Sequence, residues 1–179
     1  MKMLYLIRHC QAEGQAPDAP LTPLGREQAN QLASFFQEIA VDRIVSSPFL
    51  RARQSVELLA LAKHLPVETD DRLTERVLSG NPLDNWLEQL RQSFDDLDLC
   101  LEGGESNRTA MNRAIAAIDS VLSHEAVTTL IVTHGALMTL LLKNFDNRFG
   151  FTEWSNLSNP DVYQICVSDD QATVRRVWA

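Results

Sequence analysis

Short apolar runs alternate along this chain with amphipathic stretches of helical period, and this alternation constrains the fold more than any other feature. Residues 4–7 and 130–132 are continuous apolar runs. Such runs are typical of parallel strands whose sheet is covered by helices on both faces. Residues 43–46 and 67–69 are weaker candidates of the same kind. We therefore predict that these four segments belong to one mostly parallel sheet.

The stretches between these runs place apolar residues on one face of a helix. A short stripe covers residues 52–60, and a modest helix is predicted around residues 83–90. Thr22 is a suitable cap for the first helix, and Pro23 at its first position loses no needed N–H group. The two longer stripes repeat the same spacing and consist of Ala29, Leu32, Ala33, Phe36 and Ala40, and of Met111, Ala114, Ile115, Ile118 and Leu122.

Alternating β and α elements favour an α/β layered fold. Residues 163–168 and 173–178 predict two strands that turn at Asp169 and Asp170, as an antiparallel hairpin at a sheet edge. We therefore predict a three-layer α/β/α sandwich with a mostly parallel central sheet and an antiparallel edge. Residues 73–101 are interpreted as an excursion over the sheet, and residues 1–179 are expected to form one domain.

The charge balance argues against two classes of partner. The chain carries 16 Lys and Arg against 24 Asp and Glu, a formal net charge of −8. Such an acidic protein repels nucleic acid and anionic membranes at long range, so neither is an expected partner. The three cysteines show no C-x-x-C spacing, and the apolar run before Arg8 is too short for a signal peptide. We therefore expect a cytoplasmic protein.

Ligands of open α/β sheets bind outside the carboxyl ends of the strands. The predicted strands place there Arg8 and His9, then Arg51 on the opening turn of a helix, then His134, with Glu75 shortly after a small strand. Two guanidinium groups and a helix N-terminus suit a phosphate group. An imidazole beside them is a potential nucleophile, and a carboxyl group is able to protonate a leaving oxygen.

Each of these residues taken alone has an ordinary structural interpretation. A histidine just past a strand is more often structural than catalytic, and an arginine at a helix start is usually a surface charge. Glu75 is flanked by Arg72 and Arg76 and is able to pair with either. His64 and His124 are interpreted as histidines at helix C-termini, where a cation suits the helix dipole. The functional interpretation therefore depends on the joint pattern.

Five short motifs follow one another between residues 4 and 142. They are Arg8-His9-Cys10-Gln11 for R-H-G-E/Q, residues 21–29 for L-T-x-x-G-x-x-Q-A, residues 46–55 for S-S-P-L-x-R-A-x-Q-T, residues 103–106 for G-G-E-S, and residues 132–135 for V-x-H-G. Together, and in this order, they resemble the histidine phosphatase superfamily, also called the phosphoglycerate mutase-like family. No single motif would be specific.

The resemblance implies a role for each matching position. His9 would be the nucleophile that becomes phosphohistidine. Arg8, Arg51 and His134 would bind the phosphoryl group, and Glu75 would protonate the leaving alcohol and later activate water. His9 must be neutral to attack, which favours a hydrogen bond from its other ring nitrogen to a backbone carbonyl. The residues we predict to contact substrate are Cys10, Gln11, Thr22 and Gly135.

The sequence also departs from the family pattern. Cys10 replaces the usual glycine. His9-Cys10 therefore also suggests the motif H-C-x5-R of cysteine-dependent phosphatases. That motif would need arginine at position 16, where the chain has Ala16. We therefore interpret Cys10 as a small packed residue that lines the pocket. Ala12 replaces the common Thr or Ser, and no G-x-x-E-G follows Glu75.

These observations predict a phosphomonoesterase that acts on a small phosphorylated metabolite through phosphohistidine, without a metal or a cofactor. A cofactor-dependent phosphoglycerate mutase is the first alternative, although mutases of this family are typically longer. A non-catalytic protein that binds a phosphorylated ligand is the second, and a metal hydrolase that uses both histidines is the third. The substrate and the oligomeric state are left open.

Overall fold

A six-stranded mixed sheet forms the centre of the computed structural model, which describes residues 1–169 and 171–178. The strand order is β3-β2-β4-β1-β5-β6. The first four strands in this order are parallel, β5 is antiparallel to β1, and β6 is antiparallel to β5. The predicted fold class is confirmed. The strands are β1 (Lys2–Arg8), β2 (Arg43–Ser46), β3 (Val67–Thr69), β4 (Thr128–Thr133), β5 (Asp161–Val167) and β6 (Ala172–Arg176).

Helices cover both faces of this sheet. Side chains alternate along a strand, so Tyr5 and Ile7 face α1 and α2, while Leu4 and Leu6 face the core beneath α4 and α5. The described helices are α1 (Pro23–Phe35), α2 (Leu50–Lys63), α3 (Trp86–Asp95), α4 (Asn107–Ser123), α5 (Gly135–Phe145) and α6 (Phe151–Ser155).

Helix α1 begins as predicted but ends earlier than its apolar stripe. The hydroxyl oxygen of Thr22 accepts a hydrogen bond from the N–H of Gly25 at 2.9 Å. The helix stops at Phe35, so the prediction that the stripe continues to Ala40 is wrong. After that point the chain makes tight turns, and Lys63 donates to the carbonyls of residues 37 and 39 at 2.8 and 2.9 Å. That ammonium group satisfies carbonyls that a longer helix would have bonded internally.

The helix predicted around residues 83–90 is displaced along the chain. It spans Trp86–Asp95, because Leu90 and Phe94, one helical turn apart, are the residues that pack into the core. The carboxyl-terminal hairpin lies at the sheet edge as predicted, although its second strand ends at Arg176. Of the two residues predicted to form its turn, Asp170 lies outside the described residues.

The sheet register determines where the candidate site forms. In the parallel pairs, Arg8 lies opposite Thr133, and Ser46 lies opposite Val132. The chain therefore leaves β1, β4 and β2 at nearly the same level of one sheet edge. The residues that follow these strands are brought together there.

Replacing Gly25 with alanine tests the close contact at the start of α1. Alanine usually stabilises a helix by about 1 kcal/mol relative to glycine. Here a Cβ atom would lie 2.0 Å from the carbonyl oxygen of Gln11, so the backbone must move. We expect Gly25→Ala to lower the free energy of unfolding by about 1–3 kcal/mol, measured by urea denaturation.

Gly14→Ala is the matched control, since a Cβ atom at Gly14 has Ala19 Cβ as its nearest neighbour at 3.8 Å. Equal stability of the Gly25 and Gly14 variants would contradict the prediction.

Candidate active site

Two histidines and two arginines meet at the carboxyl ends of the parallel strands. His9 follows β1, His134 follows β4, and their ring centroids are 5.1 Å apart. Arg8 is the last residue of β1, and Arg51 lies in the first turn of α2. Both histidines and Arg51 are buried. The structure thus brings together four residues, the first and last of which are 126 positions apart in the sequence.

Hydrogen bonds fix the tautomer of His9. Its Nδ1 lies 2.7 Å from the carbonyl oxygen of Cys10. Because a carbonyl only accepts, Nδ1 carries the proton and Nε2 keeps its lone pair. The Nε–H of Arg51 donates to that Nε2 at 3.3 Å. Burial lowers the pKa of His9 to about 4; the Cys10 carbonyl opposes this shift, and Arg51 and Arg8 add to it. His9 is therefore neutral near pH 7, and its Nε2 is unprotonated.

Three further contacts hold the backbone around this imidazole. The N–H of Cys10 donates to the hydroxyl of Ser55 at 2.8 Å, and that hydroxyl donates to the carbonyl of Arg51 at 2.7 Å. The side-chain amide of Asn159 donates to the carbonyl of His9 at 2.9 Å. Ser55 thus links the backbone beside the imidazole to the helix that carries Arg51.

The two arginines are held by backbone carbonyls. Arg51 donates from Nη1 to residues 15 and 16 at 3.2 and 2.9 Å. Arg8 donates from Nη1 to residues 157 and 158 at 3.3 and 3.4 Å. The Nε of Arg8 is buried and has no hydrogen-bond partner among the described residues. Burial lowers the pKa of both arginines, and the charge of Glu75 acts in the opposite direction. A phosphate oxygen would supply the missing acceptor.

His134 is a second neutral imidazole in this site. Its Nε2 is hydrogen-bonded to the hydroxyl of Ser47 at 2.8 Å. Its Nδ1 is buried and lacks a partner among the described residues. Burial is the main reason why the pKa of His134 lies well below its usual value, and His9 and Arg51 lower it further. A bound anion would act in the opposite direction and favour the protonated form.

Glu75 joins the site through the first turn of α5. Its Oε2 accepts from the N–H of Ala136 at 3.1 Å, and its Oε1 accepts from the N–H of Leu137 at 3.0 Å. Its Oε1 also accepts from the N–H of Arg76 at 2.8 Å. The carboxyl group is therefore fixed by three backbone donors next to His134, the residue that precedes α5.

The predicted substrate contacts lie around this site in different settings. Cys10 is buried in a small cluster with Leu21 and Ala29, and burial raises the pKa of its thiol to about 11. Thr22 donates to the side-chain oxygen of Gln11 at 2.8 Å while it caps α1. Gly135 packs against the guanidinium of Arg8. Contact with substrate stays a prediction for all four predicted residues.

Within residues 1–169 and 171–178, no group of three His, Cys, Asp or Glu side chains is arranged to hold a metal ion. No helix in the same residues is long and apolar enough to cross a membrane.

The profile of the histidine phosphatase superfamily (branch 1) matches residues 4–179. The chain belongs to this superfamily. A relative from Shigella dysenteriae serotype 1 (strain Sd197), named probable phosphoglycerate mutase GpmB, is 30% identical over 173 residues, which cover 87% of this chain and 78% of the relative.

Solved structures of superfamily members share the fold. A mycobacterial glucosyl-3-phosphoglycerate phosphatase in complex with inorganic phosphate matches with a TM-score of 0.79 and 23% identity, over 99% of this chain and 97% of that one. The alpha-ribazole phosphatase of Shigella flexneri matches with a TM-score of 0.79 and 21% identity, over 98% and 95% of the two chains. At these identities the likeness shows the fold.

The sequence patterns did not identify several residues of this site. Ser47 and Ser55 lie inside the S-S-P-L-x-R-A-x-Q-T motif, so a signal for them existed. Asn159 lies in no motif. Arg76 is only 6% exposed, and its Nε and Nη1 have no hydrogen-bond partner among the described residues. Arg113 contacts the segment that carries Glu75.

The buried histidines predict acid-sensitive stability. The pKa of His9 is about 4 in the folded protein against 6.5 ordinarily, so the unfolded chain binds more protons below pH 6.5. The contribution of His9 to the free energy of unfolding is therefore fully present above pH 6.5 and is lost as the pH falls towards 4. His9 alone should contribute a slope of about 1.4 kcal/mol per pH unit in this window. Urea denaturation at a series of pH values between about 4.5 and 7 measures this slope.

His9→Asn should make this pH dependence shallower by about that slope. His64→Asn, at an exposed position in a left-handed conformation that asparagine tolerates, is the control and should keep the wild-type slope. Identical slopes in wild type and His9→Asn would refute the assignment of a neutral His9.

Proposed function

We propose that this protein is a metal-independent phosphomonoesterase that hydrolyses a small phosphorylated metabolite through phosphohistidine on His9. The observation that carries the proposal is the state of His9. Its Nδ1 is bonded to the Cys10 carbonyl, its Nε2 faces Arg51, and burial keeps the ring neutral. A buried imidazole with an unprotonated Nε2 beside a guanidinium suits nucleophilic attack on a phosphoryl group.

In the first step, Nε2 of His9 attacks phosphorus and the bond from phosphorus to the ester oxygen breaks. In its protonated form, Glu75 gives its proton to the departing oxygen, so the alcohol leaves neutral. The N–H of Nδ1 stays bonded to the Cys10 carbonyl and shares the positive charge of the phosphorylated ring. Arg8 and Arg51 stabilise the charge that develops on the phosphoryl oxygens.

In the second step, Glu75 takes a proton from water while the water oxygen attacks phosphorus. The bond from phosphorus to Nε2 breaks, and inorganic phosphate leaves. His9 returns to the neutral tautomer, with its proton on Nδ1, and Glu75 is again protonated. We assign contact with the phosphoryl group in both steps to His134, whose ring lies against that of His9.

The comparisons support a reaction at a phosphoryl group, but the matched proteins are named for two different activities, phosphatase and mutase. The matched structures include phosphatases for glucosyl-3-phosphoglycerate and for alpha-ribazole phosphate, and one of them binds inorganic phosphate. The relative at 30% identity is named a probable phosphoglycerate mutase, which favours a mutase as the second candidate. A mutase would return the phosphoryl group of His9 to a hydroxyl of the substrate instead of to water.

Arg76 supports a substrate that carries a second anionic group. A buried cation without a partner is costly, and an anion of the ligand would relieve that cost. Arg76 follows Glu75, whose charge acts on its guanidinium. Because we propose Glu75 as the donor to the leaving oxygen, we also place Arg76, the next residue, on the side of the leaving group. We propose that it contacts a carboxylate or phosphate there.

We also propose that residues 1–179 act as one domain in the cytoplasm. The three cysteines are free rather than paired, which suits a reducing compartment.

Hydrolysis of p-nitrophenyl phosphate in the presence of EDTA tests the proposed reaction. The wild type should turn over, and His9→Ala should lose at least about 1,000-fold in kcat because it has no nucleophile. The exposed His64→Ala is the control and should retain activity. Labelled substrate should leave an acid-labile phosphoryl group on the wild type and none on His9→Ala.

Full activity of His9→Ala would refute the mechanism, and a strict need for a divalent metal would favour a metal hydrolase. No turnover by the wild type, followed by isomerisation of a phosphoglycerate, would establish the mutase. Failure of both reactions, with phosphate still bound, would leave a binding protein.

Binding of paired phosphonates tests the role of Arg76. Each ω-carboxyalkylphosphonate of a short series is compared by calorimetry with the alkylphosphonate of equal length. We expect the wild type to prefer at least one acid by about tenfold or more, the value of a charge-assisted hydrogen bond. Arg76→Met should lose this preference, and Arg91→Met, at an exposed arginine of α3, should keep it. Equal binding of acid and alkyl partners by the wild type would contradict the assignment.

A further inference from the structure

The G-G-E-S segment of residues 103–106 contributes none of the groups placed around the phosphoryl site. Its glutamate, Glu105, precedes α4, and Arg113 lies two turns into that helix. The two side chains form an ion pair with both carboxylate oxygens engaged: Arg113 donates from Nη2 to Oε1 at 2.6 Å and from Nε to Oε2 at 3.1 Å. Such a two-point contact fixes the guanidinium plane as well as its position.

The remaining donors of Arg113 reach the segment that carries Glu75. Nη1 donates to the carbonyls of Arg72 and Thr74 at 2.7 and 2.9 Å. Nη2 donates to the carbonyl of Glu75 itself at 3.3 Å. One guanidinium group therefore holds three backbone carbonyls within four residues, and the last belongs to the residue we propose as the proton donor.

Glu105 and its neighbours hold the other side of the same segment. The N–H of Glu105 donates to the carbonyl of Val77 at 2.8 Å, and the N–H of Val77 donates back to Glu105 Oε1 at 3.4 Å. A Cβ atom on Gly104 would lie 2.3 Å from the carbonyl oxygen of Leu78, so only glycine permits this approach. The chain is thus attached to Arg113 before Glu75 and to the G-G-E-S segment after it.

Regular secondary structure contributes little to the position of the segment around Glu75. Residues 71–73 form one short 3-10 turn, and helix α3 begins only at Trp86. The side chain of Glu75 binds the first turn of α5, but that contact requires its backbone to be held at the correct distance. Thr133 also donates to the carbonyl of Leu73 at 2.7 Å. In the described structure, the long-range backbone hydrogen bonds of residues 74–77 are made with Arg113 and Glu105, so the position of these residues depends on that pair.

We propose that Glu105 and Arg113 form a positioning pair that holds the Glu75 carboxyl group where it protonates the leaving oxygen. The proposal rests on the proposed function, because it assumes that Glu75 is the proton donor. Arg113 is a positioning residue rather than a catalytic one, since its five hydrogen bonds engage all five N–H donors of the guanidinium with carboxylate and carbonyl oxygens of the protein.

Dependence of the rate on the leaving group separates positioning from general damage. Dinitrophenolate leaves without a proton, whereas an alkoxide needs one from the acid. We expect Arg113→Met to lower kcat/KM for an alkyl phosphate by about 100-fold or more, the usual contribution of general acid catalysis. Its kcat/KM for 2,4-dinitrophenyl phosphate should fall by no more than about threefold. The two substrates share the transfer to His9, so their ratio isolates protonation.

Conservative variants keep the test decisive if Arg113→Met folds poorly. Arg113→Lys retains the positive charge and reaches fewer acceptors, so its selectivity for the dinitrophenyl ester should lie between wild type and Arg113→Met. Glu105→Gln should show the same selectivity as Arg113→Lys. Arg108→Met is the matched control, because Arg108 lies on the same helix and pairs with the exposed Asp98. It should leave the ratio at the wild-type value.

Equal losses on both esters in the folded variants, or no loss on either, would overturn the positioning role. Glu75→Gln distinguishes this failure from failure of the proposed function. If Glu75→Gln selectively slows the alkyl ester while the Arg113 and Glu105 variants do not, only the positioning role is wrong. If Glu75→Gln itself shows no selectivity, Glu75 is not the proton donor, and the mechanism fails together with the proposal built on it.

Discussion

The parallel register between β1 and β4 is the constraint on which the rest of this site depends. It sets Arg8 opposite Thr133, so both strands end at the same level and His9 and His134 emerge side by side. The register is itself held by burial. Leu4 and Leu6 face one layer of helices while Tyr5 and Ile7 face the other, and a slip of one residue would exchange the two sets. The packing of the core and the geometry of the site are thus consequences of the same pairing.

The second constraint is electrostatic, because positively charged side chains gather at one site of an acidic protein. The chain has a net charge of −8, yet its candidate site places the buried guanidinium of Arg51 and the partly buried guanidinium of Arg8 beside two neutral imidazoles. Burial lowers the pKa of His9, and Arg51 and Arg8 lower it further, so the cations that we propose to bind phosphate also keep the proposed nucleophile unprotonated. The carboxyl group of Glu75 lies within the same field. A bound phosphate would accept a hydrogen bond from the Nε–H of Arg8, which has no acceptor among the described residues.

Much of this arrangement was predictable because it is local in the sequence. Apolar runs mark strand ends, and the residues that follow them, among them His9 and His134, are the ones that a parallel sheet brings to one edge. Glu75 was harder to place, since its carboxyl group is fixed by N–H groups of α5, about 60 residues further along the chain. Arg113 was not predictable at all: its partners include backbone carbonyls, which every sequence supplies and no side-chain pattern identifies.

By itself, the sequence determined the alternation of strands and helices, the cap of α1 at Thr22, and the identity of the groups able to carry the chemistry. These follow from hydrophobic periodicity and side-chain type, which are properties of neighbouring residues. Only the tertiary structure decided that α1 stops at Phe35, where Lys63 satisfies the carbonyls beyond it, and that α3 shifts so that Phe94 enters the core. It also decided the tautomer and the neutral state of His9. Both depend on burial and on atoms contributed by distant segments, and these exist only once the chain has folded.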